Sequence, residues 1–221
     1  MTFDHVRLIV FDLDGTLVDS QRDIADAANA LLAEGGMNPL PLETIGRMVG
    51  DGAGKLVSRV FEAAGCREPS DGLARFLALY DTRLLVHTTP YAGMERVLAE
   101  IEAHASLAVL TNKPLAATRR VLSGLKLAAY FADEAVVGGD GPFPRKPDGS
   151  GLRHLMARVG AEAASTLLVG DSAIDWQTAC NAGTRLCLAR YGFGFSSVPL
   201  DRLGPECCMI DSPIHLLHIL S

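Results

Sequence analysis

A doubly wound parallel α/β sheet, interrupted after its first strand by a small helical insert, is the fold class the sequence predicts. Three observations predict it. Short apolar runs recur near 7–12, 106–111, 134–138, 166–170 and 185–189 with helical patterns between most of them, the alternation that builds a parallel sheet covered by helices. About 90 residues separate the first run from the second, far beyond an ordinary crossover, so an insert lies between. From about 20 to 88 that insert is helical in pattern.

Taken in order, Leu8-Ile9-Val10-Phe11 reads as a buried strand. Asp12, Leu13 and Asp14 follow, and Gly15-Thr16 break the strand. If the strand ran through both acids, Asp12 and Asp14 would share a face. Such a concentration of negative charge is offset by a hard divalent cation. Ser20 followed by Asp23 predicts a helix start with a capping box. Ile24, Ala27, Ala28, Leu31 and Leu32 then recur at helical spacing, as do Leu56, Val57, Val60 and Phe61, and again Leu73, Phe76, Leu77, Tyr80 and Leu84. Gly35-Gly36 and Pro39 to Pro41 punctuate the first turn. Leu107 to Leu110 form a strand ending in Thr111-Asn112-Lys113-Pro114. Arg145-Lys146-Pro147-Asp148 lies in a Gly/Pro-rich loop, with Arg145 expected at the surface. Thr166 to Val169 form a strand ending in Gly170-Asp171, and Asp175 follows one helical turn later. The tail from Ile214 to Leu220 predicts a short apolar helix packed on the core.

At 221 residues and 48% hydrophobic composition, the chain suffices for one core plus an insert. The net charge of −6 is spread along the chain, and no basic cluster points to nucleic acid or an anionic membrane. No apolar run reaches membrane-spanning length. Met1 to Arg7 contains Asp4 and enters a strand directly, unlike a signal peptide. The five cysteines show no metal-ligand spacing. Cys66, Cys180 and Cys187 read as reduced packing residues and Cys207-Cys208 as structural, which fits a cytoplasmic protein.

In a doubly wound sheet the loops at the strands' carboxyl ends gather at the topological switch point. Asp12, Asp14, Thr111, Lys146 and Asp171 all sit at such ends and are expected to converge. The four segments that carry them, in this order, resemble the motifs of the haloacid dehalogenase superfamily. The resemblance spans nearly the whole chain. It is closer to the phosphoglycolate phosphatase-like branch, through Asp12 to Ser20, Tyr91-Ala92-Gly93-Met94, Thr111 to Pro114, and Gly170 to Asp175.

The resemblance implies a catalytic α/β core of residues 1–18 plus 89–221 and a mobile helical cap of residues 19–88. It implies a Mg²⁺-dependent phosphatase of a small phosphorylated metabolite, with 2-phosphoglycolate the leading substrate. Asp12 would be the nucleophile, forming an aspartyl-phosphate, and Asp14 the acid and base for the leaving group and water. Lys146 would neutralise the transferring phosphoryl group; Thr111 and Asn112 would bind it. The Asp12 and Asp171 carboxylates and the Asp14 backbone carbonyl would hold Mg²⁺, with Asp175 orienting them. Having Asp14 favours ester chemistry over the superfamily's dehalogenases and phosphonate hydrolases, which lack that acid. Pyrophosphate and sugar phosphates remain competing substrates. A phosphomutase using the same intermediate is the other reading, and it would carry a His shortly after the first motif; none occurs between Asp12 and Gly35. A non-catalytic module would show a damaged constellation, and every motif is present. Within the insert, Arg47 to Lys55 is the candidate for an anion contact through Arg47 or Lys55. Lys113 stands undecided between substrate and surface, and both monomer and homodimer remain open.

Overall fold

The computed structural model describes residues 5–220. In chain order its elements are β1 (Leu8–Phe11), β2 (Val18–Asp19), α1 (Gln21–Glu34), α2 (Leu42–Gly46), α3 (Ala53–Ala63), α4 (Gly72–Asp81) and β3 (Thr89–Pro90). Then follow α5 (Met94–Ile101), β4 (Ser106–Leu110), α6 (Leu115–Gly124), β5 (Val136–Val137), α7 (Ser150–Val159) and β6 (Thr166–Gly170). The chain closes with α8 (Ala173–Ala182), β7 (Arg185–Ala189), β8 (Cys207–Ile210) and α9 (His215–Ile219).

Six strands form one sheet in the order β5-β4-β1-β6-β7-β8, and its pairings are parallel. All four residues of β1 are buried. A central parallel strand covered by helices on both faces has no polar side, which explains its unbroken apolar sequence. The chain leaves β1 toward β4 on one side and reaches β6 on the other, so the strand order reverses at β1. The carboxyl end of β1 is therefore where a crevice opens.

Regular β1 structure stops at Phe11. Asp12 keeps one ladder bond, its N–H donating to Val169 O at 2.8 Å, but the chain then turns and Gly15 N–H meets Val18 O. Asp12 and Asp14 are thus brought together by a turn and not by strand alternation. Beyond it, β2 pairs antiparallel with β3, so the two chain segments bordering the helical insert are tied side by side. The capping box expected at Ser20 and Asp23 does not form. Ser20 Oγ donates to Asp14 instead. The buried Asp23 carboxylate accepts from the N–H groups of His87 and Thr88 and from Thr88 Oγ1, at 2.7–3.0 Å. A reciprocal box forms at Ser172 and Asp175, opening α8.

The helices α1 to α4 pack together on Ile24, Ala28, Leu31, Val60 and Phe76, and the same apolar cluster continues into Phe11 and Val169 of the sheet. α9 packs on α5 through buried Leu216. The edge strand β8 was not legible as a run: its pattern is half-exposed, with Met209 facing out. All five cysteines are free, but Cys66 and Cys180 are exposed where packing was expected; Cys187 is buried. Cys180 lies on the exposed face of α8, and Cys66 in the bend that follows α3. Among the described residues no helix is long and apolar enough to cross a membrane.

Candidate active site

At the carboxyl end of β1 the Asp12 side chain meets Lys146, whose Nζ lies 2.8 Å from Asp12 Oδ1 and 2.6 Å from Asp175 Oδ1. Lys146 sits in the loop between β5 and α7, and its side chain is only 2% exposed. The capping box locks Asp175, whose Oδ2 accepts from Ser172 Oγ at 2.6 Å and from the N–H groups of Asp171 and Ser172. Its carboxylate thus aims Lys146 while fixing the loop that presents Asp171. Asp171 Oδ2 accepts from Gly194 N–H at 2.8 Å.

Backbone must come close for this to fit. A Cβ on Gly15, which has φ +90°, would run into the Asp171 carboxylate. A Cβ on Gly170 would run into Asp175. These contacts give the Asp-x-Asp-Gly and Gly-Asp sequences their physical reason.

Carboxylate oxygens of Asp12, Asp171 and Asp175 lie within 4.8 Å of one another, and all three residues are buried. Burial pushes the Asp12 carboxyl up to about 7, against the pull of Lys146, with Asp175 and Asp14 adding to the rise. Asp171 is pushed well above the usual carboxylate range by burial and then by Asp175 and Asp12. Burial would lower the pKa of Lys146, but Asp12 and Asp175 outweigh it and hold the ammonium above the ordinary lysine range. The neighbourhood therefore holds Asp12, Asp14, Asp171 and Asp175 against Lys146 and Lys113, an excess of negative charge. Clustered hard oxygen donors of this kind could hold a divalent cation.

Asp14 belongs to a second cluster. Lys113 Nζ donates to both its oxygens at 2.9 Å, and Ser20 Oγ donates to Oδ1 at 2.6 Å. The third Lys113 partner is Tyr80 Oη of α4, at 2.5 Å. Lys113 is buried, and Asp14 and Tyr80 hold its charge against the downward push of burial. Sequence reasoning left Lys113 undecided and missed Ser20 and Tyr80. A tyrosine in an otherwise apolar helical stripe was the available signal for the latter.

Thr111 lies buried at the end of β4, its Oγ1 accepting from Lys113 N–H at 3.2 Å. Among the described residues no acceptor takes its proton. The Asn112 amide donates to Gly50 O at 2.8 Å and Lys146 O at 2.9 Å, tying the insert's loop to the Lys146 loop. Both Asn112 donors are thereby engaged. Arg47 is exposed, and Lys55, 66% exposed, pairs with Asp51 at 3.1 Å. Neither lines the cavity over Asp12, whose free space of about 60 Å³ is bounded by Asp14, Thr111, Lys113, Tyr80 and the apolar side chains of Leu56 and Phe76. Arg145 is exposed as expected, its Nε donating to Gly139 O.

Such a carboxylate and lysine cluster, at the switch point of a doubly wound sheet, defines a class of hydrolase. The haloacid dehalogenase-like hydrolase family model matches residues 9–189, and the chain belongs to that family. It is 42% identical over 207 residues to the phosphoglycolate phosphatase of Rhodospirillum rubrum, covering 90% of this chain and 84% of that one. The phosphoglycolate phosphatase of Caulobacter vibrioides is 37% identical over 203 residues, with the same coverage. Among solved structures, a predicted phosphoglycolate phosphatase from Haemophilus somnus superposes with a TM-score of 0.88 at 26% identity, covering 97% of this chain and 98% of that one.

Proposed function

We propose that this protein is a Mg²⁺-dependent phosphatase that hydrolyses 2-phosphoglycolate through an aspartyl-phosphate on Asp12. Residues 19–88 act as a cap over a core of 1–18 and 89–221. The observation that carries the reading is Asp12 held between Lys146 and the Asp171 and Asp175 carboxylates. A phosphate monoester dianion is repelled by a carboxylate nucleophile unless positive charge intervenes. Asp12 and Asp171, with the Asp14 backbone carbonyl, would hold Mg²⁺. Bound there, Mg²⁺ supplies charge neutralisation and orients the phosphoryl oxygens.

An Asp12 oxygen attacks phosphorus and the bond from phosphorus to the ester oxygen breaks. The departing glycolate oxygen takes a proton from Asp14. Water then attacks the aspartyl-phosphate and gives a proton back to Asp14, which releases phosphate and restores the Asp12 carboxylate. Lys146 stays beside Asp12 throughout and offsets charge on the phosphoryl group. The Thr111 hydroxyl donates to a phosphoryl oxygen. Asn112 fixes the Lys146 backbone and the Gly50 turn around them. The absence of a His between Asp12 and Gly35 favours the phosphatase over a sugar phosphomutase. Five unpaired thiols suit a cytoplasmic setting.

Phosphate release is the test, measured over a panel of esters and pyrophosphate with Mg²⁺ and with EDTA. EDTA-sensitive turnover with 2-phosphoglycolate preferred is the expected result. Turnover that survives EDTA rejects the metal, and a flat profile rejects the substrate.

A further inference from the structure

A carboxylate-bearing substrate needs a partner in the cavity, and neither Arg47 nor Lys55 lines it. Lys146 is engaged with Asp12 and Asp175. Lys113 does face the cavity, but Asp14 takes two of its contacts and Tyr80 Oη the third. An ammonium has three N–H donors and no acceptor. The Tyr80 oxygen is therefore the acceptor in that contact, and its own proton is directed elsewhere. Among the described residues no acceptor takes that proton.

From this arrangement we infer that the Tyr80 hydroxyl, seated on Lys113, is the donor that recognises a carboxylate beside the phosphoester. It is a specificity-determining residue contributed by α4. The inference rests on the phosphatase reading above and names the group that selects its substrate.

Three features suit Tyr80 to the task. A hydroxyl whose oxygen accepts from a cation becomes a stronger donor. Its ring stacks on Phe76, with centroids 5.8 Å apart and planes 13° apart, so the hydroxyl is held in place before substrate arrives. Tyr80 is 5% exposed, and burial pushes its hydroxyl up to about 12, so it keeps its proton at neutral pH. The rest of the wall here is apolar, with Ile24, Leu56 and Leu77 around it. An ester without the carboxylate would leave this hydroxyl buried and unmatched, which penalises its binding. The same Lys113 touches Asp14, so the group that reads the leaving group's far end is joined by one ammonium to the group that protonates its near end.

The experiment compares 2-phosphoglycolate with ethyl phosphate, which has the same two carbons and no carboxylate, in the Mg²⁺-loaded protein and its Tyr80→Phe variant. Loss of one hydrogen bond to a charged group should lower kcat/KM for 2-phosphoglycolate about 30-fold, mainly through KM. Any effect of the lost Lys113 contact on Asp14 falls on both substrates, and ethyl phosphate offers Tyr80 nothing, so the preference for 2-phosphoglycolate over ethyl phosphate should fall at least about tenfold. Equal losses on both substrates, or none on either, overturn the inference. A native protein without preference for 2-phosphoglycolate overturns both the inference and the substrate reading. A native preference that persists in Tyr80→Phe overturns the inference alone. The carboxamide of 2-phosphoglycolate supplies a measurement independent of the variant's folding: the native protein should turn it over at least about tenfold less efficiently than the acid, and equal efficiency overturns the inference.

Discussion

Two buried lysines divide this site into two clusters built on different principles. Lys146 joins Asp12 to Asp175, and all three residues lie in the core or in the loops at its sheet's edge. Lys113 joins Asp14 to Tyr80, and its partners come from opposite sides of the cavity, one from the loop after β1 and one from α4. The first cluster is held by the capping box at the head of α8 and by glycines that let carboxylates approach the backbone. Among the described residues, no side chain of the helical insert pairs with Asp12, Lys146 or Asp175. The second is complete only while α4 lies over the sheet. In the proposed mechanism, Lys146 would stay beside Asp12 while Asp14, the proposed acid, is framed by the proposed cap, and cap closure would couple water exclusion to proton transfer.

Substitutions in the first cluster should have the largest effects. Asp12→Asn removes the proposed nucleophile and should lower turnover by at least about 10⁴-fold, read as phosphate release. Lys146→Met should abolish turnover as well and also unfold the protein more easily. It leaves Asp12 and Asp175 buried without their cation, an expected loss of about 3–5 kcal/mol in denaturant melts. Full stability in Lys146→Met would refute the view that this cluster is structural as well as catalytic.

Asp14→Asn should separate the clusters. With 2-phosphoglycolate it should reduce kcat by about 10²- to 10⁴-fold. With p-nitrophenyl phosphate, whose leaving group needs no proton, the first step should survive. One p-nitrophenol per protein should then appear in a burst, followed by slow hydrolysis of the aspartyl-phosphate. Asp12→Asn should give no burst. A burst in Asp12→Asn, or its absence in Asp14→Asn with both steps slowed alike, would reverse the assigned roles.

Metal binding should depend on pH through the first cluster. Asp12 titrates near 7 when the cation is absent, because burial raises it, and Asp171 is shifted the same way. A raised carboxylate pKa means that the folded protein binds a proton the unfolded chain has lost, so this contribution to stability is present at low pH and fades as pH rises toward 7. Mg²⁺ competes with that proton. Its affinity, followed by titration calorimetry on the metal-free protein, should fall at least about tenfold between pH 8 and pH 6. A flat profile would remove Asp12 from the metal site.

The convergence of the first cluster was legible in the sequence because its members lie at strand ends or in segments that resemble the motifs of the haloacid dehalogenase superfamily. Asp12, Thr111, Lys146, Asp171 and Asp175 come together where strand order predicts. The second was half-legible. Tyr80 occupies a position that helical periodicity assigns to packing, and it does stack on Phe76. Only the tertiary path of α4 brings its hydroxyl to Lys113. Arg47 and Lys55 drew attention as cations in a Gly-rich turn, but charge alone does not say which way a turn faces, and Lys55 spends its charge on Asp51. Ser20 and Asp23 matched a local capping pattern, and each found a longer-range partner.

That last exchange supplies the smallest predicted effect on turnover. Asp23, 1% exposed, accepts the backbone N–H groups of His87 and Thr88 and the Thr88 hydroxyl, and so clamps the start of α1 to the segment that returns to the core. The two ends of the insert meet at this one carboxylate, next to the β2–β3 pair. Asp23→Ala would leave those donors buried and unmatched and should lower stability by about 3 kcal/mol, roughly 6–12 °C in the thermal midpoint. None of the first cluster touches Asp23, so kcat on an ester with a good leaving group should change by less than about threefold. KM for 2-phosphoglycolate should rise, because the insert that carries Tyr80 is held less firmly at its base. If KM and kcat both stay at native values while stability falls, Asp23 is a fastening of the fold alone, and the second cluster does not depend on how the insert is anchored.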